Sequence, residues 1–126
     1  MKKPVQTAKA PAAIGPYSQG IIAGNLLFIS GQLPLDPEKG KLVDGTMTEQ
    51  TKQVLKNMTA VVEEAGGKLS DVVKTTIFLK DLKDFSEVNA AYADFFTDCP
   101  PARSTIQVAA LPLDASIEIE AIVSLP

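Results

Sequence analysis

The 126-residue chain contains no histidine and a single cysteine, Cys99. Without histidine it cannot carry a Ser-His-Asp or Cys-His catalytic arrangement or a histidine-based zinc site, and it lacks the commonest general base near neutral pH. One cysteine cannot form an internal disulfide, which agrees with a reducing compartment. Any chemistry must therefore use carboxylates, arginine, tyrosine, hydroxyl groups, backbone groups and water.

Long apolar runs, basic clusters and nucleotide-binding loops are also missing. No segment approaches the ~18 consecutive apolar residues of a membrane span, and no signal-peptide stretch begins the chain, so we expect a cytoplasmic protein. The net charge is −3 and the longest basic run is the Lys2-Lys3 pair at an N-terminus expected to be mobile, which argues against nucleic acid as a partner. Neither a GxGxxG turn nor a GxxxxGKS/T loop occurs, so no nucleotide cofactor is indicated.

What is present is typical of one folded domain. Apolar residues make up 45% of the chain, and the charged residues, at 21%, are too few and too well mixed for disorder. No composition shift or linker divides the sequence. We therefore predict a single domain over residues 1–126.

The first half of the chain predicts a hairpin and a long helix. Two short apolar runs, 21–23 and 26–30, flank Gly24-Asn25, a pair that tolerates the positive φ angles of a two-residue turn. Residues 34–45 are predicted to be an irregular loop. A helix follows with a Thr46/Glu49 capping box and an apolar stripe, and it ends at Gly66-Gly67.

The second half predicts three strands around a second helix. Residues 71–80 alternate, with Val73, Thr75, Ile77 and Leu79 on one side. The helix has Asp84/Glu87 at capping-box spacing, an apolar stripe from Phe85 to Phe96, and Pro100-Pro101 to stop it. Residues 104–110 and 116–123 are the last two strands.

The resulting order, β-β-α-β-α-β-β, predicts an α+β fold with both helices on one face of a mixed sheet. Two helices can cover one face only. Leu27 and Ile29 alternate with Leu26 and Phe28, so both sides of that strand are apolar. We therefore expect neighbouring subunits to bury the second face.

Six short segments, spread over almost the whole chain, carry a family pattern: Ile14–Gln19, Ser30–Pro34, Val73–Leu79, Asn89, Pro101–Ser104 and Ile117–Ile122. In this order the sequence resembles the RidA/YjgF family. The resemblance implies a chorismate-mutase-like α+β homotrimer with pockets between subunits. It also implies hydrolysis of 2-imino acids such as 2-iminobutanoate and 2-iminopropanoate to 2-oxo acids and ammonia, without a metal or cofactor.

Arg103, between Pro100-Pro101 and a strand, is the first candidate site residue. Its planar fork could hold a substrate carboxylate through paired, charge-assisted hydrogen bonds. From position alone, an ion pair with Glu118, Glu120 or an aspartate is the commoner outcome. The resemblance favours carboxylate binding, because the family's arginine matches this motif.

Glu118 and Glu120 lie two apart on the last predicted strand and so share a face. The sequence alone cannot rank them, and a solvated strand face is the plainer interpretation. The resemblance favours Glu120 as the catalytic residue that positions the attacking water and relays a proton. Partial burial would raise the pKa of a glutamate enough for this task near neutral pH.

Tyr17, Ser30-Gly31 and Asn89 are further candidate substrate-binding residues. By resemblance Tyr17 contacts the substrate carboxylate or closes the pocket, although a buried anchoring tyrosine is equally compatible with the sequence. Gly31 permits close backbone approach to a ligand or is a simple turn glycine. Asn89 reaches the pocket across a subunit boundary or bonds local backbone.

Two departures from the family pattern affect this pocket. Thr105, a further candidate substrate-binding residue, stands where many relatives carry a cysteine. A contact through main-chain atoms would tolerate this change, whereas a contact through the thiol would alter activity or regulation. The link from Phe96 to Arg103 is short and contains Cys99, which we expect to be an unreactive loop thiol.

Two other functions remain as alternatives. A non-catalytic module could use the same pocket to bind a small 2-oxo acid. Endoribonuclease activity fits poorly with the missing histidine and the negative net charge.

Overall fold

The computed structural model describes all 126 residues as eight strands and two helices. In chain order these are β1 (Lys2–Val5), β2 (Gly20–Ala23), β3 (Leu26–Gln32), β4 (Leu35–Asp36), β5 (Lys41–Leu42), α1 (Met47–Glu64), β6 (Val72–Leu79), α2 (Phe85–Ala93), β7 (Ala102–Gln107) and β8 (Ile117–Ser124).

Six of the strands form one mixed sheet in the order β1-β2-β3-β8-β6-β7. The β6–β7 pair is parallel and every other pair is antiparallel. Both helices contribute to a single apolar core against one face of this sheet. The predicted α+β fold is therefore confirmed. Neither helix has the length and apolarity needed to span a bilayer.

The core forms where helix and strand periodicities meet. Along β3, β6 and β8 every second side chain points at the helices, as Leu27, Ile77 and Ile119 do, and each is fully buried. The stripe of α1, including Leu55 and Met58, covers them. This alternation sends the intervening side chains to the other face of the sheet.

The local signals at the hairpin and the first helix are confirmed. Gly24 has φ +63°, and β2 pairs with β3 directly across the turn. The Thr46 hydroxyl accepts from the Glu49 amide at 3.2 Å, while the Glu49 carboxylate accepts from the Thr46 amide at 3.3 Å. Gly66, with φ +90°, follows the end of α1.

Two small strand pairings escaped the sequence prediction. Residues 34–45 contain the β4–β5 hairpin, whose turn is held by the Asp36 carboxylate accepting from the Glu38 and Lys39 amides. Residues 2–5, which we expected to be mobile, form the edge strand β1. Two- and four-residue strands are too short for alternation to reveal them.

The helix α2 begins where predicted, with Asp84 at the N-cap position, but the predicted capping box and the predicted end are wrong. Asp84 makes no capping bond, and the Glu87 carboxylate instead accepts from the amide of Thr48 in α1 at 2.9 Å. The helix ends at Ala93, well before the prolines. Phe96 turns back onto the Tyr92 ring, with centroids 4.6 Å apart, so aromatic packing accompanies this end.

The predicted direction of the Val73 side chain in β6 is also wrong. The register against β8 shifts between Val72 and Lys74, which marks a bulge. Val73 is consequently 45% exposed, and Val72 takes the buried position. From Lys74 onward, Lys74, Thr76 and Phe78 point away from the helices, as predicted.

No helix covers this second face of the sheet, which we call the open face. By register and alternation its members include Ile21, Phe28, Lys74, Thr76, Phe78, Ser104, Ile106, Glu118, Glu120 and Ile122. Phe28 is 41% exposed and Ile106 is 45% exposed. The open face is therefore an apolar surface that also carries charged groups.

Candidate functional site

Arg103 lies on β7 and points to the helix side of the sheet, because its register partner Thr75 is buried there. Its guanidinium carbon is 5.0 Å from the centroid of the Tyr92 ring and 5.7 Å from that of Phe85. The ion pairs of the chain involve other residues, so Arg103 is not engaged by an acid. This leaves its planar fork available to an anion.

The aromatic side chains hold the guanidinium in place. The Tyr92 hydroxyl and the Thr75 hydroxyl are 2.7 Å apart, which fixes the ring that supports Arg103. Burial raises the pKa of Tyr92, so the phenol stays neutral at physiological pH. Stacking on two rings orients an arginine while its donor edge remains free.

Asn89 and Thr105 lie on the same side of the sheet as Arg103. Asn89 is four residues after Phe85 and three before Tyr92, so helical spacing places it between the two rings. Thr105 follows Arg103 on the same side of β7, and its hydroxyl oxygen is buried without a hydrogen-bond partner. We call Phe85, Asn89, Tyr92, Arg103 and Thr105 the arginine cluster.

We expect Thr105→Val to stabilise the protein by about 1 kcal/mol, because an unpaired buried hydroxyl costs free energy that a methyl group of the same shape does not. Thermal unfolding measures the change. Thr76→Val is the matched control, because no buried unsatisfied oxygen is found there. A lower midpoint for Thr105→Val, or an equal gain in the control, contradicts the prediction.

Glu118 lies on the open face, directly against β3. A Cβ atom at Gly31 would overlap the Glu118 carboxylate, so only glycine allows this approach. The register of β3 against β8 shifts between Ile29 and Gln32, at this point. Burial raises the pKa of Glu118, and the negative charge of Glu120 raises it further.

Glu120 has a different environment. It lies opposite Thr76, is exposed, and lines a hollow of about 280 Å³ with Phe28 and Lys74. Neither carboxylate has a hydrogen-bond partner within the chain, but Glu118 is half-buried against the backbone at Gly31 whereas Glu120 is exposed. The geometry thus distinguishes by burial two glutamates that the sequence could not rank.

Ser30 connects the loop that carries Tyr17 to the part of β3 that lies against Glu118. Its hydroxyl donates to the Ser18 carbonyl at 2.6 Å, and its amide donates to the Gln19 carbonyl at 3.0 Å. This ties the Tyr17 loop to β3 immediately before Gly31. Tyr17 itself is 53% exposed, so the buried-anchor alternative does not hold. We call Tyr17, Ser30, Gly31 and Glu118 the glutamate cluster.

One chain does not bring the two clusters together. Arg103 and Thr105 point to the helix side of the sheet, and Glu118 points to the open face. Sequence reasoning also missed the roles of Phe85 and Tyr92, which it placed in an apolar stripe. Their seven-residue spacing with Asn89 between them was the available signal. Cys99 is exposed in the loop before β7, four residues before Arg103.

The family model described as endoribonuclease L-PSP matches residues 7–125. The chain belongs to the endoribonuclease L-PSP family. An Escherichia coli member of this family, named 2-iminobutanoate/2-iminopropanoate deaminase, is 52% identical over 125 residues, which cover 97% of each chain.

Two solved structures extend the comparison. A Yersinia pestis protein of the conserved Rid protein family is 47% identical, with a TM-score of 0.97 over 99% of this chain and all of that one. Escherichia coli TdcF, solved with bound serine, is 40% identical, with a TM-score of 0.92 over 98% and 99% of the two chains. The resemblance to the RidA/YjgF family is therefore confirmed.

Proposed function

We propose that this chain is a hydrolytic deaminase that converts small 2-imino acids, such as 2-iminobutanoate and 2-iminopropanoate, to 2-oxo acids and ammonia. The observation that carries the proposal is the guanidinium of Arg103, held on two aromatic rings, free of any acid and beside an unpartnered Thr105 hydroxyl. The names of the deaminase relative and of the serine-bound relative support a small α-carboxylate ligand.

The pocket in this proposal takes residues from two copies of the chain. Arg103 and Glu118 lie on opposite sides of one sheet, so a site containing both must join the arginine cluster of one copy to the glutamate cluster of the next. The exposed apolar residues of the open face favour such an assembly. We propose a homotrimer, as the resemblance to the RidA/YjgF family implies, in which three such head-to-tail contacts close a ring.

In the proposed reaction, the substrate arrives as a protonated imine, whose C2 is already electrophilic. Arg103 binds the carboxylate through paired hydrogen bonds and fixes the position of C2. Glu118 accepts a proton from a water molecule as its oxygen attacks C2, which forms a tetrahedral 2-amino-2-hydroxy acid.

Glu118 then returns the proton to the amino nitrogen. The Glu118 carboxylate then takes the hydroxyl proton as the C=O bond forms and the C–N bond breaks; ammonia leaves, and Glu118 releases this proton to solvent. Burial suits Glu118 to this exchange, because a raised pKa brings a carboxylate closer to the working pH. Glu118 replaces Glu120 in this role.

The remaining predicted contacts complete the proposal. The Tyr17 hydroxyl closes the pocket or bonds the carboxylate, and the backbone at Gly31 and Thr105 positions the substrate. The Ser30 hydroxyl is already engaged with Ser18, so we assign Ser30 to holding the Tyr17 loop. Asn89 contributes its amide beside Arg103.

The test is the rate of ammonia release from enzymatically generated 2-iminobutanoate. Purified protein should accelerate it over buffer in proportion to protein concentration. An unchanged rate, together with saturable binding of 2-oxobutanoate, would instead support the non-catalytic binding module. Endoribonuclease activity is disfavoured, because the chain has no histidine and its net charge of −3 disfavours binding of a polyphosphate backbone.

A further inference from the structure

We infer that Lys74 and Glu120 form an ion pair between neighbouring copies of this chain, and that this pair sets how their open faces associate. The inference rests on the proposed inter-subunit pocket, and it names the contact that assembles it. Both residues belong to the open face, and each lacks an oppositely charged partner within its own chain.

Lys74 is partly buried, yet its ammonium contacts neutral oxygens only. It donates to the Thr75 carbonyl and to the Ser104 hydroxyl, both at 3.3 Å. By contrast, Lys80, the residue that follows β6, is paired with Asp114 at 2.7 Å. The Lys74 ammonium can therefore still bind an anion.

Glu120 is not the partner of Lys74 within one chain. Ser104 belongs to β7, so the Lys74 ammonium is drawn to the β7 side of β6, whereas Glu120 lies on β8 at the other side. The two side chains nevertheless line one hollow with Phe28 and Ile122. The Lys74 ammonium and the Glu120 carboxylate are therefore unpaired with each other within a largely apolar surface.

The binding partner that matches the open face is a second copy of the same chain. Burying an unpaired charge against apolar groups is unfavourable, so a partner must supply an anion for Lys74 and a cation for Glu120. The open face carries the Lys74 ammonium and the exposed Glu120 carboxylate beside the half-buried Glu118, so it offers a second copy charges of both signs. In a ring of copies, Lys74 of each chain can meet Glu120 of the next, while Phe28 and Ile106 are covered.

The experiment is a charge exchange followed by sedimentation equilibrium. Lys74→Glu alone and Glu120→Lys alone each place like charges together and should raise the dissociation constant of the assembly by at least about tenfold. The double variant restores an opposite pair and should return the constant to within about threefold of wild type. Restoration by the double variant separates a specific pair from a loss of folding.

Charge-matched controls are available on α1. Lys52→Glu and Glu64→Lys change the net charge by the same amounts at exposed positions and should leave association unchanged. If a single exchange does not fold, Lys74→Gln and Glu120→Gln replace it, and each should weaken association. Single variants that associate like wild type, or a double variant as weak as the singles, overturn the inference.

Association and catalysis are measured separately, so the two proposals can fail separately. A wild type that assembles, responds to the exchanges as described and does not deaminate supports the ion pair and contradicts the deaminase. A wild type that is active and assembled but indifferent to the exchanges overturns the ion pair alone. A monomeric wild type overturns it as well.

Discussion

Arg103→Ala is expected to lower kcat/KM for 2-iminobutanoate by at least about a hundredfold, because it removes paired, charge-assisted hydrogen bonds to the substrate carboxylate. The fold should survive, since Arg103 holds no acid in the free protein. Coupled measurement of ammonia release at several substrate concentrations gives kcat and KM separately.

Arg103→Lys is the matched control for charge. A lysine keeps the positive charge but cannot make the planar two-point contact or stack on Phe85 and Tyr92 in the same way. We expect it to recover only part of the lost activity. An alanine variant as active as wild type contradicts the carboxylate-binding role, whatever the lysine variant does.

Glu118→Gln is expected to lower kcat by about 10²–10⁴-fold, because glutamine cannot accept the proton of the attacking water. Glu120→Gln makes the same chemical change two residues away, on the same face. It should cost less than about tenfold in kcat, measured at protein concentrations that keep the assembly intact. The reverse ranking would return the proton-relay role to Glu120.

Glu118→Gln should also stabilise the protein at pH 7, by less than about 1 kcal/mol, since the carboxyl is half exposed to solvent. The pKa of Glu118 is raised in the folded state by burial and by Glu120. The folded protein therefore holds this proton more tightly than the unfolded chain does, and the free energy of unfolding falls as pH rises from the ordinary glutamate range through the raised value.

Melting temperatures taken across this range check the sign. The wild type and Glu118→Gln should have similar midpoints in acid, and the variant should gain as the pH rises. Glu120→Gln should shift the wild-type transition towards lower pH, because it removes one cause of the raised pKa of Glu118. A pH-independent difference between Glu118→Gln and wild type contradicts the explanation.

Local chemistry was enough to predict much of the fold. The Gly24-Asn25 turn and the Thr46/Glu49 capping box depend on adjacent residues, and both formed as predicted. The errors have distant causes. The Glu87 carboxylate bonds Thr48 in another helix, and the bulge at Val73 depends on the register of β8, so neither could be seen in a local pattern.

The candidate site, like the fold, was predictable only where it depends on local sequence. The residue types were evident from the sequence, and their alternation correctly put Glu118 and Glu120 on one face. Their different burial depends on Gly31, in a distant strand, and could not be predicted from spacing. The rings that hold Arg103 belong to α2, and their role appears only once the helix is docked.

Because Arg103 and Glu118 lie on opposite sides of the sheet, a variant that lacks the arginine can be complemented by a variant that lacks the glutamate. In the proposed ring, each pocket takes its arginine from one chain and its glutamate from the next. Co-expressing Arg103→Ala with Glu118→Gln in equal amounts would then rebuild about a quarter of the pockets with both wild-type groups, by random assortment. Two inactive proteins would yield a partly active hybrid, which no pocket confined to a single chain could produce.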